Sequence, residues 1–281
     1  MNSLSLSKLS YYYSNEYINR HMDPRMKDFP FMSDGFPWRI FGICVAYVLI
    51  AKLWKPDMKG TDVRPLILIF NGLAFGIHGM GVIFALVLDF GGAGVDCSPL
   101  NKNPLMLEPT IECVKTASIV YITVIFVLLR IYLLSEAILL MMATGRSPSN
   151  WRLANDIALL LTVYFGVKYL PGGPSLFFGF TYLGFYTCVY GYYALKMGYS
   201  QAEDVILQSR KYFIYLKFVW AALTFGHHLY LAYYIPCTRQ NIVLFPLSFT
   251  EFFYGIGLFC NAVYEYRKLL SDQRAKMLKS E

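Results

Sequence analysis

Charge is scarce in this chain, and so is histidine. Only 15% of the 281 residues are Asp, Glu, Lys or Arg, against 56% apolar, and mean hydropathy is positive. A soluble chain of this size would struggle to stay dispersed with that balance, so the composition predicts a polytopic membrane protein. The four histidines are His21, His78, His227 and His228, so a His-x-x-His-His cluster cannot occur in any register. The first 35 residues are polar and tyrosine-rich and lack an apolar core ahead of a small-residue cleavage site, so no cleaved signal peptide is expected. No basic stripe with interleaved aromatics argues for a nucleic-acid partner. The stretch from Leu128 to Gly145 has no Asp-Arg-Tyr and the last apolar run has no Asn-Pro-x-x-Tyr, which removes the signatures of a G-protein-coupled receptor.

What the chain has instead is length in apolar runs. A bilayer core takes about 20 apolar residues per helix, and helices are the default because lipid offers backbone groups no partners. Seven runs qualify: Pro37 to Leu53, Pro65 to Leu88, Val114 to Ala143, Trp151 to Tyr169, Ser175 to Leu195, Tyr212 to Tyr234 and Ile242 to Val263. The third is too long for a perpendicular span and must tilt, break or project. The expected organisation is a polar luminal segment over 1–35, a seven-span domain over 36–265 and a basic cytosolic tail over 266–281.

Orientation follows from the cations. Lys52, Lys55, Lys59 and Arg64 flank the first loop, Arg146 and Arg152 the third, and Lys196, Arg210 and Lys211 the fifth. The tail adds Arg267, Lys268, Arg274, Lys276 and Lys279. All fall on one side, so the positive-inside rule puts the carboxyl terminus in the cytosol and the amino terminus in the lumen. The net charge of +7 is thus mostly topology. Cys44, Cys188 and Cys260 fall inside spans as small apolar residues. Cys97, Cys113 and Cys237 fall in luminal loops, where oxidation is permitted.

Between Trp151 and Tyr193 two apolar helices are joined by Gly166-Val-Lys-Tyr-Leu-Pro-Gly-Gly173, with Tyr186, Tyr190 and Tyr193 on one face of the second. This stretch resembles the heart of the ELO family of very-long-chain fatty-acid elongases. Asp23-Pro24-Arg25 ahead of the first span and Phe70-Asn71 on the second are similar to further family motifs. The resemblance implies an all-α membrane protein whose seven transmembrane helices include six in a ring around an acyl-chain cavity, in the endoplasmic reticulum. It also implies a luminal disulfide, for which Cys97 and Cys237 are candidates and Cys113 the competing partner.

The family's chemistry is missing from the places that should carry it. Its histidine box, thought to supply the nucleophile that takes an acyl group from its CoA thioester, falls on Arg152-Leu-Ala-Asn155-Asp156. An imidazole suits that role, whereas an amide is not nucleophilic and an acyl aspartate would be a mixed anhydride. The Lys-x-x-Glu-x-x-Asp-Thr motif of the third span has no workable register around Glu136. The His-x-x-Met-Tyr-x-Tyr-Tyr motif survives as Tyr186-Thr-Cys-Val189-Tyr190-Gly-Tyr192-Tyr193, keeping its tyrosines and losing its histidine. Thr-x-x-Gln-x-x-Gln becomes Ile214, Lys217 and Trp220.

Arg130, Glu136, Asp156 and Lys217 are ionisable groups at or near membrane depth, where each is costly unless it faces protein or water. The family pattern brings the box and the glutamine motif to one cavity, so Asp156 and Lys217 are expected to form an ion pair there. Asn155, Asp156, Tyr186, Tyr190, Tyr193 and Lys217 are the candidate cavity residues. Three functions fit: a catalytically degenerate elongase relative that binds fatty acyl chains or acyl-CoA, or partners the elongation machinery; an active elongase with unfamiliar residues, Cys188 being the thiol nearest the expected cavity; or a channel, receptor or auxiliary subunit. No cofactor or metal is expected. The partners are membrane lipid or acyl-CoA, with other membrane proteins or a second copy of the chain as further candidates.

Overall fold

Turn chemistry punctuates the apolar runs. The computed structural model describes residues 37–54, 62–87, 124–169, 174–198, 203–233 and 244–280, together with Met26, Phe29, Phe31 and Met32. Within them lie seven helices and no strand: α1 (Trp38–Leu53), α2 (Arg64–Val87), α3 (Val124–Thr144), α4 (Asn150–Tyr169), α5 (Pro174–Gly198), α6 (Glu203–Tyr233) and α7 (Leu244–Ser280). Pro37 precedes α1 and Pro174 opens α5, where a missing N–H costs nothing. Gly145 closes α3 in the left-handed region at φ 65°, its N–H bonded to the Met141 carbonyl at 2.8 Å. Ser149 then starts α4, its hydroxyl oxygen accepting the Arg152 N–H at 3.2 Å.

The helices match the first, second, fourth and fifth apolar runs to within a few residues, the third is described only from Val124 onward, and the last two extend beyond their runs. α6 begins nine residues before Tyr212, and α7 continues through the basic tail to Ser280. Within α3 the hydrogen-bond pattern is irregular at Leu134, whose N–H bonds the Ile131 carbonyl at 3.2 Å, and the helix continues over Ser135–Thr144. The stretch 114–123 lies outside the described residues, as do Asp23-Pro24-Arg25, Pro171-Gly-Gly173, and Cys97, Cys113 and Cys237, on which the expected disulfide falls.

Among the described residues two helices, α2 and α3, are long and apolar enough to cross a membrane. Packing runs from α3 to α2, α5, α6, α7 and α4 in turn, while α1 rests against α3 and α4. α2 comes close to α5 at Gly81, where a Cβ would sit 2.8 Å from a Leu183 methyl. Outward faces carry exposed Leu49, Leu73, Phe84, Ile125, Val219 and Phe259, whereas Asn71, Arg130, Lys217, His227 and Glu251 are buried. Apolar outside and polar inside is the distribution that lipid solvates. Helix hydroxyls satisfy themselves by bonding back one turn, as Thr162 does to Ala158 and Thr224 to Trp220.

Two contacts fix which helix ends share a side. Lys52, in the last turn of α1, donates to the Pro148 carbonyl just before α4 at 3.0 Å. At the opposite end of α4, the Tyr164 hydroxyl donates to the Phe31 carbonyl, and Met26 and Met32 are fully buried. The segment before α1 is thus docked on the bundle at that end.

Candidate functional site

The site is built where α3, α4 and α5 turn their polar residues toward one another. Asp156 is its hub. Its carboxylate accepts the Tyr47 hydroxyl of α1 at 2.7 Å, faces the Arg130 guanidinium of α3 at 3.5 Å, and faces Arg152 one turn back at 3.8 Å. Arg152 also reaches Glu136 at 3.4 Å, and the Tyr190 hydroxyl of α5 donates to the other Glu136 oxygen at 3.2 Å. Two guanidiniums and two carboxylates therefore alternate, with Tyr47 bonded to Asp156 and Tyr190 closing the Glu136 end. Arg130 is 3% exposed, and a guanidinium at that depth requires such a partner.

Above this network α5 lays down a tyrosine ladder. Tyr182 and Tyr186 have ring centroids 4.5 Å apart, and Tyr186 and Tyr190 lie 5.8 Å apart. Arg130 sits 5.6 Å over the Tyr186 ring, where a cation meets the negative face of the aromatic. The Tyr186 and Tyr254 hydroxyls are 3.4 Å apart, and the Trp220 indole donates to Tyr254 at 2.9 Å. His78 of α2 packs against Tyr182, Tyr186 and Tyr190, its Nδ1 2.6 Å from the Ala74 carbonyl and its Nε2 buried without a partner.

Beside the network lies a cavity of about 520 Å³, within the range of small-molecule sites. Asn155, Asp156, Tyr186, Tyr190, Tyr193 and Lys217 all line it, together with Arg130, Glu136, Arg152, Lys196 and Glu265. Its apolar wall includes Leu133, Leu140, Phe185, Val189 and Leu258. Asn155 packs directly over Gly257 of α7, a contact that leaves no room for a larger residue there.

The expected ion pair between Asp156 and Lys217 does not form. Both line the cavity, but Asp156 is engaged by Tyr47, Arg130 and Arg152, while Lys217 binds Glu265 of α7 at 2.6 Å. The reason is reach: α6 packs on α5 and α7, not on α4, so its lysine meets an acid on its own neighbour. Cys188 is exposed and does not line the cavity. His227 is buried and pairs with Glu251 at 2.7 Å, a packing contact between α6 and α7.

Sequence reading overlooked Tyr47, His78, Glu251 and Glu265. Glu265 was findable: a carboxylate at the polar end of the last apolar run is the natural partner of a lysine stranded on the neighbouring one. Tyr47 carried no signal, being one aromatic among many in an apolar helix.

No family model matches the chain. Two characterised relatives do. Very long chain fatty acid elongase 7 of Drosophila melanogaster is 23% identical over 255 residues, covering 84% of this chain and 69% of its own. A very long chain fatty acid elongase of Aedes aegypti is 24% identical over 258 residues, covering 85% of this chain and 68% of its own. Altered as its polar positions are, the chain is similar over most of its length to very-long-chain fatty-acid elongases.

Proposed function

We propose that this protein is a membrane-embedded elongase relative that binds a fatty acyl ligand in the cavity between its helices and does not carry out the family's condensation. The observation that carries the reading is the state of Arg152 and Asp156. At the positions matching the histidine box stands an ion-pair network, each charge already engaged, beside a cavity that remains open. A carboxylate tied to two guanidiniums and a phenol is a poor nucleophile, because attack would surrender those contacts. The exposure of Cys188 deprives a thiol-based condensing enzyme of its best candidate.

In this reading all seven helices span the bilayer, six surround the ligand, and the cavity opens toward the cytosol, in the endoplasmic reticulum. The contact of Lys52 with Pro148 and the docking of Phe31 on Tyr164 support a common side for the cationic helix ends and the opposite side for the amino-terminal segment. A partnership with the elongation machinery is compatible with an unfilled catalytic role.

The test has two parts. Native mass spectrometry of the purified protein should find co-purifying long-chain lipid or acyl-CoA. Incubation with acyl-CoA and malonyl-CoA should release no carbon dioxide above a heat-killed control. A lengthened product would overturn the degenerate reading, and a protein free of lipid in every preparation would remove the ligand.

A further inference from the structure

The charges that line the cavity do not cancel. Arg130, Arg152, Lys196 and Lys217 supply four positive charges, and Glu136, Asp156 and Glu265 supply three negative ones, which leaves one positive charge over. The carboxylates are all engaged: Asp156 with both arginines, Glu136 with Arg152, and Glu265 with Lys217. The surplus is therefore assignable to Lys196, in the last turn of α5, exposed at the mouth and without a carboxylate partner among the described residues. Arg152 is its partner in reach of a ligand. A guanidinium has five N–H donors, two atoms of this one face carboxylates at 3.4 and 3.8 Å, and the side chain is still 38% exposed.

A neutral ester entering this space would leave the surplus cation without a counter-ion, which is unfavourable. A single anionic headgroup would complete the charge balance and leave its alkyl chain along Leu133, Val189 and Leu258. We infer that the occupant is a free long-chain carboxylate, its headgroup at the mouth between Lys196 and Arg152. This rests on the ligand-binding reading above and narrows its chemistry: the headgroup is a single carboxylate, not a neutral ester.

The measurement is equilibrium binding of a tritiated long-chain saturated fatty acid to the full chain in lipid nanodiscs. Competitors of the same chain length are the unlabelled acid, its methyl ester, its CoA thioester and the corresponding alkyl phosphate. The acid should compete best, with the ester at least about tenfold weaker. Lys196→Glu should weaken acid binding about tenfold, since charge reversal counts roughly twice an exposed pair, and should leave any ester binding unchanged. Lys196→Arg should restore the acid. Equal competition by acid and ester, or no effect of Lys196→Glu, would overturn the headgroup assignment while leaving the cavity occupied by lipid. Tighter binding of the thioester or the phosphate would reassign the headgroup in the same way. Absence of binding by all four would overturn the ligand-binding reading beneath it.

Discussion

Asp156→Asn is the sharpest probe of the network, because it changes charge without changing shape. It strands Arg130, which is 3% exposed and whose carboxylate partner among the described residues is Asp156. Breaking a buried pair by removing one partner costs about 3 to 5 kcal/mol, whereas replacing both with apolar residues can be neutral. At roughly 2 °C per kcal/mol for a chain somewhat larger than 200 residues, the melting temperature in detergent should fall by about 6 to 10 °C. Arg130→Met should cost less, because the remaining Asp156 is 20% exposed at its side chain and keeps Arg152 and Tyr47. The double change Asp156→Asn with Arg130→Met should therefore recover at least about 2 kcal/mol of the summed single losses, a coupling typical of residues in contact. Asp156→Asn with Lys217→Met is the control. The two share no partner, so their effects should add to within about 0.5 kcal/mol. Fluorescence-detected size-exclusion melting of the five variants, Lys217→Met alone included, reads both cycles. Additive losses for Asp156 with Arg130, or strong coupling of Asp156 with Lys217, would refute the network as drawn.

Other expectations are as direct. Lys217→Met alone should destabilise more than Lys217→Met with Glu265→Gln, since Lys217 is buried and Glu265 is its ion-pair partner; melting curves of both check it. Gly81→Ala and Gly257→Ala should each lower stability by about 1 to 3 kcal/mol by overpacking, because a Cβ would press on Leu183 in one case and Asn155 in the other. Gly72→Ala, with open space around it, should be neutral or gain up to about 1 kcal/mol. Asn155→Ala should rescue Gly257→Ala and do nothing for Gly81→Ala, read in the same melting assay. A lipid-soluble maleimide should modify Cys188 and Cys260 and spare buried Cys44 until the protein unfolds, as peptide mass spectrometry would report.

The helices were legible because apolar length and Pro or Gly punctuation are local properties. Pro37, Gly145 and Pro174 mark ends that the backbone then observes. The continuation of α7 to Ser280 was not legible, since its last turns are polar and hold together through backbone bonds that hydropathy does not register. At the site, the tyrosines of α5 were readable from their spacing on one helix face. The partner of Asp156 was not, because several cations lay at compatible depth and only the packing order of helices chooses among them. Lys217 looked as near in sequence pattern as Arg130, yet α6 is separated from α4 by α7.

That same α6 and α7 contact has a consequence for how the protein is made. The two helices are held at one end by Lys217 with Glu265 and at the other by His227 with Glu251. In the proposed arrangement, where both helices span the bilayer, each inserted separately would carry buried ionisable side chains, Lys217 and His227 on α6 and Glu251 on α7, that are costly at membrane depth without a partner. Entering together as a hairpin, they neutralise each other before meeting lipid. The translocation machinery should therefore hold α6 until α7 has emerged from the ribosome, and a chain truncated after α6 should slip back out of the membrane rather than wait there for its partner.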